Sequence, residues 1–477
     1  MHLYSFLSPY IVQVFLRSFL SIVHAVWRYW HYVLYDRYRP TLYFGEPMAS
    51  SNVTVHDQEV LQVLTMREFF LSRCPSLAEG FHASWMLFNG HLQTVYNIFG
   101  DFSNVDEVVY DRKLLRLMDG GTVSLDFTPV SDMQSLANDT PILVAFHGMT
   151  GGQPFIRRRS YEAYLRSILA PACASVAEGG LGYRAVVINF RGCAGTPVTS
   201  DQLYHCGTTD DARQALMYIA KCYPHARLIG VGFSLGANML VRYLAQEGEY
   251  SRLVAGLGIY MLLVRGYQKA HGMEQVYSRA LAQNLQNLVT THSDKLARNA
   301  AFAQVMPTIL SLKSPSLFEF DALYTSQHAS HAAPFPFPSV REYYSWASSH
   351  NVLSDVRVPL LAINADDDPI VQDLPLDLGR NGLVVLAVTR GGGHLGWFTS
   401  RKRWWCGEHP RWVRKPVLEW LRAVGKDLWV DSPRGRPLCT VNGFISEVGR
   451  ENIGCREVEG GGKITCDVVR AQSFAGL

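Results

Sequence analysis

Residues 230–237, Gly-Val-Gly-Phe-Ser-Leu-Gly-Ala, constrain the fold of this chain more strongly than any other stretch. An apolar run suited to a buried strand precedes them, and apolar residues at helical spacing follow them. Where a strand turns directly into a helix, the central residue adopts a strained positive φ and its flanking positions favour glycine. Gly232 and Gly236 occupy these flanking positions around Ser234. The pattern predicts a nucleophilic serine at a helix N-terminus, with an ordinary glycine-rich turn as the alternative.

Buried strands alternate with helices along much of the chain. The predicted strands cover residues 142–146, 185–190, 226–229, 254–259, 360–364 and 383–389. The predicted helices between and after them include residues 161–170, 210–221 and 412–424. Parallel strands need crossover helices, which lie on the faces of the sheet. The alternation therefore predicts an α/β fold with a mostly parallel sheet covered by helices on both faces.

The alternation stops between residues 260 and 355, where helices are predicted over 274–288 and 295–305 before a turn-rich Pro-Phe-Pro stretch. Open α/β sheets bind their ligands beyond the carboxyl ends of the strands. An insertion at this place is therefore predicted to form a cap over the active site. The core of the fold then comprises residues 100–259 and 356–425.

The two ends of the chain lie outside this core. Residues 41–99 are predicted to form an N-terminal extension with a helix over 56–71. Residues 426–477 are rich in glycine and show no hydrophobic periodicity, so a loosely ordered C-terminal tail is predicted there.

A serine nucleophile needs a base, and an acid that orients the base. Asp366, Asp367 and Asp368 follow the strand over 360–364, and Asp368 stands just before Pro-Ile-Val, the usual place of the acid. Asp367 is the alternative acid, and Asp366 is interpreted as a solvated turn residue or a helix cap. The predicted base is His394, in a Gly-Gly-Gly-His-Leu-Gly loop. Serine, aspartate and histidine follow one another here in the order of the α/β-hydrolases.

An oxyanion hole requires two backbone amides. One is predicted at Leu235, directly after the serine, and the other at Met149, in the glycine-rich loop after the strand over 142–146. His147 in the same loop is interpreted as a structural hydrogen-bonding residue. His205 and Asp210 match a His-x4-Asp pattern associated with acyltransferases, but a position at a helix N-terminus explains Asp210 without chemistry.

Charge and cysteine content exclude several other classes of protein. The formal net charge is +3, from 44 basic and 41 acidic residues, and no basic patch interleaved with aromatic residues indicates a nucleic-acid partner. The nine cysteines include no Cys-x-x-Cys pair, so no zinc site, redox motif or cofactor is predicted. An odd, unpatterned set of cysteines indicates reduced thiols and a cytosol-facing compartment.

Residues 3–35 are apolar and aromatic and contain no Asp or Glu. Their polar residues recur at steps of three and four, which leaves a broad apolar face on a helix. A membrane-associating helix is therefore predicted over 1–40, either lying in the interface or spanning, although Arg17 near its middle disfavours spanning. The arginines that follow the apolar run favour a location of the catalytic part on the cytosolic side of the membrane. Packing of this helix on the globular domain is the alternative.

Six motifs occur in an order that resembles a specific family. They cover residues 89–94, 147–152, 189–195, 232–236, 364–369 and 392–396. Together they resemble the membrane-associated α/β-hydrolase-domain lipases, the bacterial YheT-type hydrolases and the fungal medium-chain fatty acid ethyl ester synthases/esterases. The similarity covers approximately residues 75–425.

This resemblance implies that Ser234, Asp368 and His394 are the catalytic triad of a serine carboxylesterase or lipase. It implies substrates that are esters of short- or medium-chain acids, including acylglycerols and phospholipids, met at a membrane surface. The same three residues would serve an alcohol O-acyltransferase, because only the second nucleophile, water or an alcohol, differs. The sequence leaves these two activities open.

Overall fold

The computed structural model describes residues 39–46, 51–57, 60–149, 151, 162–259, 272–400, 409–430 and 434–464, together with Val23. The helix predicted over 1–40 therefore lies almost wholly outside the described residues. None of the helices that the structure describes combines the length and the apolar run that crossing a bilayer requires.

The described residues form a large sheet and a separate two-stranded hairpin. The strands are β1 Thr41–Phe44, β2 Asn52–Asp57, β3 Val60–Thr65, β4 Tyr110–Leu117, β5 Thr122–Thr128, β6 Ile142–Phe146, β7 Arg184–Asn189, β8 Leu228–Phe233, β9 Leu253–Ile259, β10 Leu360–Ala365, β11 Val384–Thr389, β12 Leu438–Val441, β13 Phe444–Glu447 and β14 Arg450–Ile464. The large sheet has twelve strands in the order β1-β11-β10-β9-β8-β6-β7-β5-β4-β14-β13-β12. Its six central strands, from β11 to β7, are parallel, and antiparallel strands extend both edges.

Helices connect the strands and cover the sheet. They are α1 Met66–Arg73, α2 Ser76–Glu79, α3 Gly90–Phe99, α4 Ala163–Cys173, α5 Asp210–Cys222, α6 Leu235–Glu247, α7 Met273–Thr291, α8 Ser293–Leu296, α9 Ala300–Ser311, α10 Leu317–Phe320, α11 Ser326–His328, α12 Val340–Ala347 and α13 Arg414–Arg422. The residues of β6 show how the layers are built. Ile142, Val144 and Phe146 pack into one hydrophobic cluster, and Leu143 and Ala145 pack into another. Because alternate side chains of a strand point to opposite faces, the sheet is covered on both sides, which confirms the predicted α/β layers.

The described part of the segment between β9 and β10 begins at residue 272 and contains the helices α7 to α12. The helix predicted over 274–288 corresponds to α7. The end of the segment is tied to the core through Asn238, one turn after Ser234 on α6. The Asn238 side chain donates to the Ala347 carbonyl at 2.9 Å and accepts from the Ser349 amide at 2.8 Å.

The prediction of a loosely ordered tail is wrong for residues 434–464. These residues form β12, β13 and β14, which extend the sheet beyond β4. Arg252 and Glu447 join the new edge to the core by a buried ion pair of 2.7 Å, and Cys455 is fully buried. The ladder between β14 and β4 satisfies the backbone hydrogen-bonding groups of a glycine-rich segment that has little apolar periodicity of its own.

The helix predicted over 56–71 is wrong for its first half. The strands β2 and β3 pair antiparallel at residues 52–57 and 60–65, and α1 begins only at Met66. The Thr65 hydroxyl accepts from the Glu68 amide at 3.2 Å, and the Glu68 carboxylate accepts from the Thr65 amide at 2.9 Å. This capping box places the start of the helix, and its Thr-x-x-Glu signal was present in the sequence.

Candidate active site

Ser234 lies in the sharp turn that joins β8 to α6, with φ 52° and ψ −117°. This conformation confirms the strained backbone predicted from the sequence. A side chain at Gly236 would overlap the backbone oxygens of Phe146 and His147, and one at Gly232 would overlap the first turn of α6. The two glycines therefore allow the turn to pack tightly. The Ser234 side chain does not cap α6, so its hydroxyl is available to another group.

Ser234, His394 and Asp368 form a continuous hydrogen-bonded chain. Ser234 Oγ lies 3.0 Å from His394 Nε2, and His394 Nδ1 lies 2.8 Å from Asp368 Oδ2. The Asp368 side chain is fully buried, and that of His394 is 9% exposed. With the proton on Nδ1 shared with the carboxylate, Nε2 is free to accept the serine proton. The structure thus brings together the three residues that the sequence predicted as nucleophile, base and acid.

The two neighbouring aspartates bind the backbone of the loop that carries His394. Asp366 Oδ1 accepts from the Gly391 amide at 2.8 Å, and Asp367 Oδ1 accepts from the Gly393 amide at 2.9 Å. Asp366 is an exposed turn residue and does not cap a helix. Neither carboxylate is the one that bonds the imidazole, so the two side chains hold the loop rather than the ring.

The orientation of the Asp368 side chain is set by the backbone amides of Ile370 and Val371. Its Oδ1 accepts from the amides of Ile370 at 2.7 Å and Val371 at 3.1 Å, which leaves Oδ2 directed at His394. Burial raises the pKa of the Asp367 carboxyl, and the charges of its acidic neighbours add to this effect. The geometry therefore favours Asp368 over Asp367 as the acid.

The predicted oxyanion residues lie on two segments that adjoin Ser234. Leu235 is the first residue of α6, where backbone amides have no partner within the helix. Met149 follows Gly148, at which a Cβ would lie 3.8 Å from the Ser234 Cβ. The Gly148 amide is held by the Tyr164 hydroxyl at 3.1 Å. The Leu235 and Met149 amides remain our prediction for the donors.

His147 makes two backbone contacts in the same loop. Its Nδ1 lies 2.7 Å from the Gly148 carbonyl oxygen, and its Nε2 accepts from the Phe190 amide at 3.3 Å. Burial lowers the pKa of His147 to about 4, so the ring is neutral at physiological pH. These contacts confirm the structural interpretation of this histidine.

His205 and Asp210 have separate structural surroundings. His205 Nδ1 accepts from the Gly207 amide at 3.2 Å, and burial lowers the pKa of His205 to about 3. Asp210 pairs with Arg213 in the first turn of α5. The His-x4-Asp pattern is thus accounted for by local structure. In the part of the chain that the structure describes, no group of three or more His, Cys, Asp or Glu could hold a metal ion.

Helix α3 contacts the loop that carries His394, and the sequence did not predict this contact. Thr94 Oγ1 accepts from the His394 amide at 2.8 Å and donates to the Gly90 carbonyl at 2.7 Å. A side chain at Gly90 would overlap the backbone of Asp367. The signal was the Asn-Gly-His-Leu-Gln-Thr motif of residues 89–94, to which no role was assigned from the sequence.

Gln93 fixes the chain on the far side of the same loop. Its Oε1 accepts from the Phe398 amide at 2.7 Å, and its Nε2 donates to the carbonyls of Phe398 at 3.0 Å and Leu87 at 2.7 Å. The Asn97 side chain donates to the His394 carbonyl at 3.4 Å through its Nδ2. Helix α3 therefore holds the backbone of His394 from both sides.

Replacing Thr94 by valine should lower kcat and leave KM nearly unchanged. Valine has the same shape but removes the acceptor of the His394 amide, and the loss of such a buried bond costs about 1–3 kcal/mol. We expect kcat for a soluble ester to fall about tenfold or more as the imidazole loses its alignment. The control Thr94→Ser keeps the hydroxyl and should retain near-normal kcat. An equal loss in Thr94→Ser, or a change in KM alone, would contradict this positioning role.

The helical insertion meets α3 beside the aspartates. His91 Nδ1 lies 3.2 Å from the Tyr277 hydroxyl oxygen, and the two rings stack with their centroids 5.8 Å apart. Burial raises the pKa of Tyr277, and the charge of Asp368 raises it further. Tyr277, in the first turns of α7, therefore joins the insertion to α3 through its contact with His91.

Comparisons with known proteins agree with this fold. A family model described as "alpha/beta hydrolase fold" matches residues 141–378. An "Abhydrolase domain-containing protein" of Dictyostelium discoideum is 31% identical over 361 residues, which cover 73% of this chain and 82% of the relative. The chain belongs to the α/β-hydrolase family, and it is a hydrolase.

Two further relatives carry names that state an activity. A "Monoacylglycerol lipase" of Saccharomyces cerevisiae is 29% identical over 429 residues, covering 81% of this chain and 90% of the relative. A "Putative esterase YheT" of Escherichia coli is 31% identical over 315 residues, covering 64% of this chain and 83% of the relative. The resemblance inferred from the six motifs is confirmed.

Proposed function

We propose that this protein is a serine carboxylesterase of the lipase type. It hydrolyses short- to medium-chain acyl esters, such as acylglycerols or phospholipids, through an acyl-enzyme. The observation that carries the proposal is the chain from Asp368 through His394 to Ser234, with links of 2.8 and 3.0 Å. Relatives named lipase and esterase support hydrolysis over transfer to an alcohol.

In the first half-reaction, His394 Nε2 takes the proton of Ser234 as Oγ attacks the ester carbonyl carbon. The buried carboxylate of Asp368 stabilises the imidazolium that forms. The amides of Leu235 and Met149 donate to the oxyanion of the tetrahedral intermediate. The intermediate collapses when His394 gives the proton to the leaving alcohol, and the acyl group stays on Ser234.

In the second half-reaction, water takes the place of the alcohol. His394 removes a proton from the water as its oxygen attacks the acyl carbon. Breakdown of the second tetrahedral intermediate returns the proton to Ser234 Oγ and releases the acid.

The other parts of the chain serve this reaction at a lipid surface. The insertion predicted over residues 260–355 forms a cap over the site, and the contact of Tyr277 with His91 on α3 supports this arrangement. Residues 1–40 attach the protein to a membrane, with the catalytic part on the cytosolic side. The acyl chain then passes between the cap and the core.

A product assay tests the proposal. Purified protein should release fatty acid from 1-monoacylglycerols, with the highest kcat/KM at short to medium chains in a series from butanoyl to oleoyl. Added ethanol should leave the free acid as the main product. Ethyl ester as the main product would replace hydrolysis by acyl transfer, and the absence of acid from every ester would refute the proposal.

A further inference from the structure

Tyr164, in the first turn of α4, contacts both of the segments that adjoin the nucleophile. Its hydroxyl oxygen accepts from the Gly148 amide at 3.1 Å, in the loop after β6. Its ring packs on the ring of Phe233, the residue before Ser234, with the two centroids 5.1 Å apart. A Cβ at Gly148 would lie 3.3 Å from the Tyr164 hydroxyl and 3.8 Å from the Ser234 Cβ. One side chain therefore joins the loop of the predicted oxyanion hole to the turn of the nucleophile.

The hydroxyl of Tyr164 also donates a hydrogen bond. Its acceptor is Glu162 Oε1, at 3.3 Å. Burial raises the pKa of Tyr164 well above its ordinary value, and the charge of Glu162 adds to this effect, so the hydroxyl keeps its proton. A carboxylate can only accept, so the hydroxyl donates to Glu162 and accepts from Gly148. The same carboxylate oxygen lies against Gly151, where a Cβ would overlap it. Both side chains therefore hold the loop.

The first peptide group of this loop, between His147 and Gly148, is fixed at both of its ends. Its N–H bonds the Tyr164 hydroxyl, and its carbonyl oxygen lies against Gly236, where a Cβ would overlap it. This peptide is trans, so its N–H and its carbonyl point in opposite directions. The two contacts together therefore set the orientation of the peptide plane, and Tyr164 holds its N–H end.

The next peptide group, between Gly148 and Met149, carries the predicted oxyanion donor. Its carbonyl accepts from the Gly151 amide at 3.2 Å and from His147 Nδ1 at 2.7 Å, since His147 Nε2 accepts from the Phe190 amide. The Met149 N–H points away from these two donors. Gly148 joins the two peptide groups, and a glycine backbone has little conformational preference of its own. The direction of the Met149 N–H therefore depends on contacts such as the one with Tyr164.

We propose that Tyr164 is a positioning residue of the oxyanion hole, whose hydroxyl holds the Gly148 peptide so that the Met149 amide faces the ester oxygen beside Ser234. The inference rests on the proposed ester hydrolysis. Tyr164 acts through the backbone of the loop and not on the substrate itself. Donors that are already in place stabilise the transition state without a cost of reorganisation. Loss of the hydroxyl should therefore weaken transition-state stabilisation more than substrate binding.

The first test compares Tyr164→Phe with the control Tyr183→Phe in the full-length protein. Phenylalanine at residue 164 keeps the ring against Phe233 and removes only the oxygen. Tyr183 is also buried, and its hydroxyl donates to the Leu421 carbonyl at 3.2 Å, before the first residue of β7 and away from the carboxyl ends of the strands. We expect kcat for dissolved p-nitrophenyl butyrate to fall about ten- to a hundredfold in Tyr164→Phe, with little change in KM. The control should keep its kcat, and a wild-type kcat in Tyr164→Phe or an equal loss in the control would overturn the proposal.

A thionoester shows whether the oxyanion hole itself has changed. O-(4-nitrophenyl) thionobutyrate has C=S in place of C=O, and sulfur is a weak hydrogen-bond acceptor, so its hydrolysis depends less on the amide donors. The ratio of kcat/KM for the oxygen ester to that for the thionoester should fall in Tyr164→Phe and stay constant in Tyr183→Phe. This ratio does not depend on the fraction of protein that is folded. A loss shared equally by the two substrates would overturn the positioning role.

A transition-state analogue gives a measurement without turnover. With a butyl trifluoromethyl ketone, a bond forms between Ser234 Oγ and the carbonyl carbon, the π electrons of the carbonyl move to its oxygen, and the serine proton passes to His394 Nε2. The resulting oxyanion occupies the hole, so Ki should rise in Tyr164→Phe by about the factor by which kcat/KM falls. An unchanged Ki would overturn the proposal. Failure of the wild type to hydrolyse the dissolved ester and to bind the ketone would instead refute the proposed function.

Discussion

Replacing Ser234 by alanine should lower kcat/KM for ester hydrolysis by about 10⁵-fold or more, because it removes the nucleophile of both half-reactions. The hydroxyl is the group that His394 Nε2 faces at 3.0 Å, and alanine leaves the imidazole with nothing to deprotonate. Hydrolysis of a dissolved p-nitrophenyl ester and labelling by a fluorophosphonate probe measure the two consequences. Both should be lost in the variant.

The matched control is Ser345→Ala, which removes an exposed serine from the helical insertion. It should label and hydrolyse as the wild type does. Thermal unfolding of Ser234→Ala should remain close to that of the wild type, since the substitution deletes one oxygen from a partly buried position. Labelling of Ser234→Ala equal to that of the wild type would refute the assignment of the nucleophile.

Replacing Asp368 by asparagine should lower kcat by about 10⁴-fold. Its Oδ1 accepts from the amides of Ile370 and Val371, and an asparagine would keep its carbonyl oxygen in that place. Its NH₂ group would then face His394 Nδ1 and require that nitrogen to be the acceptor. The proton would move to Nε2, where the ring can no longer accept the proton of Ser234.

The adjacent variant Asp367→Asn is the control and should retain kcat within about tenfold. Its carbonyl oxygen can still accept from the Gly393 amide, as Asp367 does at 2.9 Å. Because burial raises the pKa of Asp367, ionisation costs folding stability as the pH rises through the raised pKa. Asparagine does not ionise, so the variant should be at least as stable at neutral pH by denaturant unfolding. A larger loss of kcat in Asp367→Asn than in Asp368→Asn would reverse the assignment.

Ser234 could be predicted as the nucleophile because its signal is local. A strand, a Gly-x-Ser-x-Gly turn and a helix occupy consecutive residues, and the packing of Gly232 and Gly236 follows from that geometry alone. His394 was predicted from its position in the order of the chain. The acid was harder to predict, because Asp366, Asp367 and Asp368 are adjacent and have nearly the same sequence context. Their side chains point in different directions, which only the folded structure shows.

The fold was predicted wrongly at two places where the pairing of strands decides the structure. The strands β12 to β14 are stabilised by pairing with β4, a partner far away in the chain, and no local periodicity marks them. The hairpin of β2 and β3 was mistaken for a helix because short apolar runs fit both periods, and the capping box at Thr65 was overlooked. The contact of Thr94 with His394 joins residues 300 positions apart, so only folding brings them together.

The sequence by itself therefore determined the layered α/β architecture and the strand turn at Ser234. It also predicted Ser234, an aspartate of residues 366–368 and His394 as nucleophile, acid and base, because each follows a strand that the hydrophobic pattern marks. The tertiary structure alone decided which carboxylate bonds the imidazole, because backbone amides at Ile370 and Val371 orient Asp368. It also decided that α3 holds the loop of His394 and that the C-terminal residues complete the sheet. Those features rest on hydrogen bonds between distant segments, which form only when the chain is folded.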